Sequence, residues 1–432
     1  MAWFARKQQE PFEQESEAVV FEAPKLPDPP AVDAAGLRSA ADHVAYLLSL
    51  VEPLPSFGMP LLEAWNQVMT EDIDSLVNVP PVSTAKVQGY AVRAFDLTAD
   101  DGSLSTAMHL VDAGVERLPE AGAVVVAPGD ALPPGANTVL PASFATLVDG
   151  RLDLIDRVAE GAYVRAAGEH LPVGTRLLSE GDVLNERAIG LLASAGIEQV
   201  LVRPRPRVVV LGSGERLADP GGDLKPGETV DTNSYLIAAA AKAVGATVFR
   251  VTVHTNDPAA IRQTLSDQLI RADLVISTTG GRREDYEAVS GVLAEMGLAD
   301  SADVAMSPGR THTFALVGED QVPVLMLPGN PVSAYVTFQA FARPLIRRLM
   351  GASTEPRAAR AIAGSALRST KGQLHLLRGH VRLEGSVRHL EQVSMPHALG
   401  ELAASNALIV LGEHVESIRA GEQVQVWLLD ED

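Results

Sequence analysis

The chain has 432 residues, 46% apolar and 21% charged, and its 35 Lys and Arg against 55 Asp and Glu leave a formal charge of −20. Such a length suggests several domains with ample cores, and the acidity argues against nucleic acid or an anionic membrane, both of which attract a basic face. No apolar run approaches the ~18 residues of a membrane span, no signal-peptide core opens the chain, and the absence of cysteine excludes disulfides, thiolate nucleophiles and Cys-ligated zinc. A reducing cytoplasm is the expected location, without membrane insertion.

In chain order, residues 1–35 read as a disordered acidic tail carrying the apolar clusters Trp3-Phe4 and Val19-Val20-Phe21. The apolar period from Leu37 to Val51 predicts an amphipathic helix with Ser39 as N-cap, stopped by Pro53 and Pro55, and a second short helix is predicted over Pro60–Met69. Short apolar runs between Gly, Pro and Asp turns make 87–158 a β-rich insert, with strands at Gly89–Val92, Gly122–Val126 and Thr138–Leu140. The flanking segments 36–86 and 159–205, with a helix over Glu186–Ala195, form a linking domain that ends at Arg203-Pro204-Arg205-Pro206-Arg207.

Beyond that boundary, 206–352 alternates apolar strands (Val208–Leu211, Thr247–Val253, Leu274–Ser277, Val324–Leu327) with helices (Asn233–Val244, Asp257–Ile270, Tyr286–Met296, Ser333–Met350). That order predicts an α/β domain with a parallel sheet covered on both faces. Residues 356–432 return to short strands, including Ala407–Leu411 and Gln423–Leu429, as a C-terminal β domain.

In an open parallel sheet, ligands sit at the carboxyl ends of the strands. Gly212-Ser213-Gly214, Thr278-Thr279-Gly280-Gly281 and Pro328-Gly329-Asn330-Pro331 fall on that edge. Glycine lets backbone N–H groups approach an anion, and a helix start adds positive dipole, so a phosphate or pterin site is expected, although tight turns need glycine in any case. Asp231 precedes a helix and reads either as a cap or as a ligand-contacting carboxylate. Glu284, Asp285 and Glu287, beside Arg282 and Arg283, read either as a magnesium-holding cluster or as a solvated first turn. The ten histidines show no metal-ligand spacing.

The run Leu327-Pro328-Gly329-Asn330-Pro331-Val332-Ser333-Ala334, Gly89-Tyr90-Ala91-Val92-Arg93 with Asp96, and Ile189-Gly190-Leu191-Leu192-Ala193-Ser194 resemble the molybdopterin molybdenumtransferases, the family of MoeA and the gephyrin E domain. Asp231-Thr232-Asn233, Ser307-Pro308-Gly309 and Ser405-Asn406-Ala407-Leu408 match as well. The resemblance implies a MoeA-like elongated protomer of four subdomains, a homodimer, and insertion of molybdate into adenylylated molybdopterin (molybdopterin-AMP) with Mg2+. It assigns Asp231 and Glu287 to catalysis and magnesium. A pterin-nucleotide cradle would comprise Gly212, Ser213, Gly214, Thr279, Gly280, Gly281, Pro308, Gly309, Arg310, Pro328, Gly329, Asn330, Pro331 and Ser333.

Several positions depart from the family pattern. Gln88 and Ala188 stand where the family has an aspartate and a glutamate, and Pro128-Gly129-Asp130 replaces Thr-Gly-Ala. Gly280-Gly281-Arg282-Arg283-Glu284 is one residue shorter than Gly-Gly-Val-Ser-x-Gly, so the downstream aspartate falls on Glu287, or on Asp285 with the gap placed differently. Two lysines fall on Asp303 and Ser307, with Arg310 keeping a later charge, and a serine falls on Gly400 or Glu401. The expected consequence is an eroded active site in a degenerate actinobacterial gephyrin-like paralogue. Such a dimer would act as a scaffold for peptide tails of partners such as the division protein FtsZ. The gephyrin precedent places the peptide groove at Ala45, Tyr46, Leu411, Gly412 and Glu413. The alternative is an active molybdenumtransferase with a remodelled site.

Overall fold

The computed structural model describes residues 25–106, 108–392 and 399–430. Trp3-Phe4 and Val19-Val20-Phe21 lie outside the described residues. The end of the expected tail is engaged with the body: the Pro27 carbonyl accepts from Tyr46 Oη, and Val32 bridges Arg38.

Helix α1 (Ala40–Ser49) starts after Ser39 as expected, but the Ser39 hydroxyl donates to Glu413 rather than capping the helix. Its apolar face joins the core of the α/β domain, not the linking domain, and the Arg38–Asp300 ion pair fastens it there. Pro60–Met69 is not a helix. A single turn, Ala64 N–H to the Pro60 carbonyl (3.0 Å), ends at Asn66 with φ 61°. Strands β1 (Phe57–Pro60) and β2 (Val68–Met69) flank that turn. In the insert, β3 (Gly89–Val92) lies between β4 (Gly122–Val126) and β5 (Thr138–Pro141). Helix α2 (Glu186–Ser194) is capped by Asn185, and β6 (Gln199–Arg203) then pairs with both β1 and β2, so one small domain is built from chain on both sides of the insert.

The α/β domain follows from β7 (Arg207–Ser213), whose Val208 and Val210 enter one core while Val209 and Leu211 enter the other. Period-two alternation with both faces apolar is what a doubly covered strand requires. Helix α3 (Asn233–Val244) ends at Gly245, which adopts φ 107° as a left-handed cap. After β8 (Thr247–Val253), α4 (Pro258–Leu269) has Asp257 as N-cap and Pro258 in its first turn, the positions those residues favour. Next come β9 (Leu274–Thr279), α5 (Arg283–Met296), β10 (Gly297–Asp303), β11 (Thr311–Val317) and β12 (Val322–Met326). The expected long helix is α6 (Pro331–Thr337), a π-helical turn at Phe338–Ala342, and α7 (Arg343–Leu349).

Sheet order is β8-β7-β9-β12-β11-β10. The first four strands are parallel, but β11 and β10 run antiparallel at one edge, so the sheet is mixed rather than purely parallel. Helices α1, α3, α6 and α7 cover one face, and α4 and α5 the other.

In the C-terminal domain, β13 (Ala358–Ala363), β14 (Leu374–Glu384), β15 (Val387–Gln392), β16 (Ala407–Leu411) and β17 (Gln423–Leu428) pair in a ring. Among the described residues, that closure pairs each of these strands on both sides, which protects them from recruiting stray strands. Helix α8 (Leu399–Ala404), which the sequence did not announce, lies between β15 and β16.

Candidate active site

The three expected loops converge because β7 and β9 run in register, Ser213 opposite Thr279, and both end at glycine. Asn233, at the start of α3, joins the edge together: its Nδ2 donates to the carbonyls of Thr279 (3.2 Å) and Gly329 (2.7 Å). A Cβ on Gly329 would stand 2.4 Å from the Gly281 nitrogen, so only glycine permits this approach of the two loops. Asn330 caps α6 by accepting from Ser333 N–H, with Pro331 in the first turn. Asn233 Oδ1, Ser213 Oγ and Thr278 Oγ1 are buried without hydrogen-bond partners. A small cavity of ≈ 100 Å³ opens between Asp231, Asn233, Thr279, Gly280, Gly329 and Pro331.

Asp231 is 1% exposed. One oxygen accepts from Ser234 N–H at 3.0 Å, while the other accepts from the Ser234 hydroxyl and faces Arg250 at 3.6 Å. It therefore serves the start of α3 and lines the cavity at once. Gly212 lies beneath it, since a Cβ there would stand 2.8 Å from Asp231 Oδ2, and Ser213 is fully buried; neither forms a cavity wall.

Glu287 stands apart from Asp231, on the α5 surface, paired with Arg283 at 2.6 Å. Asp285 is the carboxylate brought to the loops. It is 1% exposed, accepts from Asn256 Nδ2 at 2.7 Å, and packs so tightly that a Cβ on Gly280 would lie 2.8 Å from its Oδ2. Among the described residues, no three His, Asp or Glu side chains converge on one point. Asp231 is engaged by Ser234 and Arg250 and lines the small cavity, while Glu287 lines a different, larger one, so the two carboxylates do not fit one shared resident magnesium ion.

A larger cavity of ≈ 940 Å³ lies on the other side of Thr279 and Gly329. Gly281, Gly309, Pro328 and Ser333 line it, with Arg282, Arg283 and Arg310 among its walls. Pro308 is not in its lining. Every one of these arginines has an acidic partner: Glu284 for Arg282, Glu287 for Arg283, and Asp303 for Arg310. The charge that Asp303 brings is thus met by Arg310 at 3.1 Å and by the Thr311 hydroxyl at 2.8 Å.

At the expected peptide groove, Ser39–Glu413 (3.3 Å) brings α1 to the C-terminal domain, but Tyr46 and Leu411 are buried. The Tyr46 hydroxyl is held by Pro27, and the Arg38 guanidinium lies 5.8 Å from its ring centre. Ala45 is exposed, while Gly412 lines a separate cavity on the barrel with Val410 and Val415. Between α1 and β11, His43 stacks near His312 (centroids 5.5 Å apart), both against Phe341. Burial, which disfavours the imidazolium, lowers their pKa values to about 4 and about 3.

The architecture is thus a mixed α/β sheet whose glycine loops close a polar cleft, joined to a linking domain, a β insert and a β-barrel. Residues 38–196 match the MoeA N-terminal region (domain I and II), 209–348 the probable molybdopterin binding domain, and 360–429 the MoeA C-terminal region (domain IV). The chain is 34% identical over 425 residues to molybdopterin molybdenumtransferase 1 of Mycobacterium tuberculosis H37Rv, covering 91% of this chain and 99% of that protein. It is 28% identical to molybdopterin molybdenumtransferase 2 of the same organism, over 90% of this chain and 99% of that one. Among solved structures, the molybdopterin biosynthesis MoeA protein from Pyrococcus horikosii matches with a TM-score of 0.78 at 24% identity, covering 92% of this chain and 100% of that one. The chain belongs to the MoeA family.

Proposed function

We propose that the chain is a molybdopterin molybdenumtransferase of molybdenum cofactor biosynthesis, working in the cytoplasm. Molybdopterin-AMP would lie along the glycine-loop edge, with its phosphates toward the backbone N–H groups, and molybdate would lie beside it. The observation that carries this reading is Asn233 bonding the Thr279 and Gly329 carbonyls. The two bonds satisfy buried carbonyls and fix the loops, while Asn233 Oδ1 stays buried without a partner at a residue lining the small cavity, an acceptor that a ligand donor would meet. The positive edge needed for anions comes from three arginines whose acidic partners are solvated, and solvated pairs are weak.

Calorimetric titration of the full chain with molybdopterin-AMP tests the reading, joined to rescue of nitrate reductase in a bacterium lacking its own metal-inserting step. Binding with rescue supports it; loss of both overturns it.

A second reading is favoured by the paired state of those arginines and by Gln88 and Ala188 in place of acids. In that reading the chain is a homodimeric scaffold for peptide tails, FtsZ among them, whose bivalency supplies avidity. Ala45 and Glu413 would form its contact surface. Tail-peptide binding that is lost in Ala45→Arg, in a chain that fails to bind molybdopterin-AMP, would select it.

A further inference from the structure

Strand β8 is an edge of the α/β sheet, and its register on β7 sets Arg250 opposite Val210 and Thr252 opposite Gly212. Paired residues on neighbouring strands project to one face, and Val210 enters the core that α3 covers, so Arg250 and Thr252 rise toward α3. Gly212 has no side chain to offer there. Asp231 fills the room it leaves, with Oδ2 only 2.8 Å from where a Cβ of residue 212 would stand.

A cation on the covered face of a strand needs acceptors to replace water, and Arg250 is ringed by them. Its Nη1 donates to Thr252 Oγ1 at 2.8 Å and to Ser234 Oγ at 3.2 Å, and lies 3.6 Å from Asp231 Oδ2. Its Nη2 reaches Asp219 Oδ1 at 3.2 Å. The guanidinium carbon sits 4.1 Å from the centre of the Tyr235 ring, a stack that fixes the plane of the fork. Ser234 therefore accepts from Arg250 while its own hydroxyl donates to Asp231 Oδ2, and each bond in such a chain polarises the next.

Asp231 is a wall of two cavities: the small one beside the glycine loops and another of ≈ 700 Å³ between α3, α6 and α8. A carboxylate has about four acceptor sites, and Ser234 takes one on each oxygen, which leaves capacity toward a ligand. Arg250 lines neither cavity. We infer that Arg250 is a positioning residue, which aims the Asp231 carboxylate into the cleft through Ser234 and does not touch the ligand itself. The inference rests on the molybdenumtransferase reading, in which Asp231 meets molybdopterin-AMP, and goes beyond it in naming the side chain that sets the direction of that carboxylate. A small misplacement of a group at the reacting atoms lowers the rate more than it lowers binding, so the loss belongs in kcat.

The test is AMP release from molybdopterin-AMP by the full chain at saturating molybdate. In Arg250→Ala, kcat should fall about tenfold or more while KM stays within about twofold. Arg250→Lys keeps the charge without the fork or the stack, and should fall between that variant and the parent chain. Methylguanidinium added to Arg250→Ala should raise kcat about threefold or more and leave the parent chain unchanged. Urea unfolding reports the stability of each variant. Unchanged kcat in Arg250→Ala overturns the inference. A raised KM at constant kcat overturns it too, since Arg250 would then bind the ligand directly. So does a fall in kcat with a lowered urea midpoint that neither lysine nor methylguanidinium restores, which marks a structural role. A parent chain that releases no AMP sinks the functional reading and the inference together; a parent chain and Arg250→Ala that release it equally sink the inference alone.

Discussion

The glycine-loop edge and the arginine edge face each other across Thr279 and Gly329, yet they are built by different means. The loop edge is backbone: carbonyls tied by Asn233, and glycines that admit no Cβ. The arginine edge is side chain: two exposed cations and the half-buried Arg282, each with its own acid. Backbone cradles depend on φ, ψ and close approach, so they survive while the neighbouring charges are redrawn. Stability should therefore reside in the first edge, and anion affinity in the second.

Substitutions separate the two. Gly329→Ala forces a Cβ onto the Gly281 backbone, and a loss of about 3 kcal/mol is expected from such overpacking; urea unfolding measures it. Asn233→Ala leaves two carbonyls without their donor, with an expected loss of about 2 kcal/mol and weakened molybdopterin-AMP binding in calorimetry. Retention of full stability and affinity in Asn233→Ala would break the comparison.

A pH series sharpens it with a region outside both edges. His43 and His312 have folded pKa values of about 4 and about 3. Above pH ~6.5 neither state holds the extra proton; as pH falls below that value the unfolded chain binds protons that the native rings refuse. Stability should therefore drop toward pH 4 with a slope approaching about 1.4 kcal/mol per pH unit for each ring. His312→Leu and His43→Leu should each flatten that slope in urea titrations between pH 7 and 5. The smallest stability effect belongs to the arginine edge: Arg283→Ala should leave the urea midpoint where it is while lowering molybdate affinity. A large midpoint shift would show that this edge is structural.

The sequence disclosed elements whose signals are local. Apolar runs set β7 and β9, Gly245 closed α3, and Asp257-Pro258 opened α4. Strand β10 was hidden because Gly-Leu-Ala-Asp-Ser-Ala-Asp has neither β-branched residues nor strict alternation. Its conformation depends on β11, against whose Leu316 carbonyl Gly297 fits closely. The π-helical turn inside the long helix and the single turn after Pro60 likewise depend on neighbours. At the site, the loops were legible from glycine at strand ends. Which of Asp285 and Glu287 lies by the loops was not, because it depends on how the first turn of α5 packs against Gly280 and Asn256. Asn233 was hidden beside Asp231, since its partners lie 46 and 96 residues away.

Release of AMP from molybdopterin-AMP by the full chain, followed as molybdate is raised, tests most directly whether the two edges act on one substrate. AMP release that climbs with molybdate and saturates is the expected result. Nucleotide that binds yet stays intact at every molybdate concentration would contradict it.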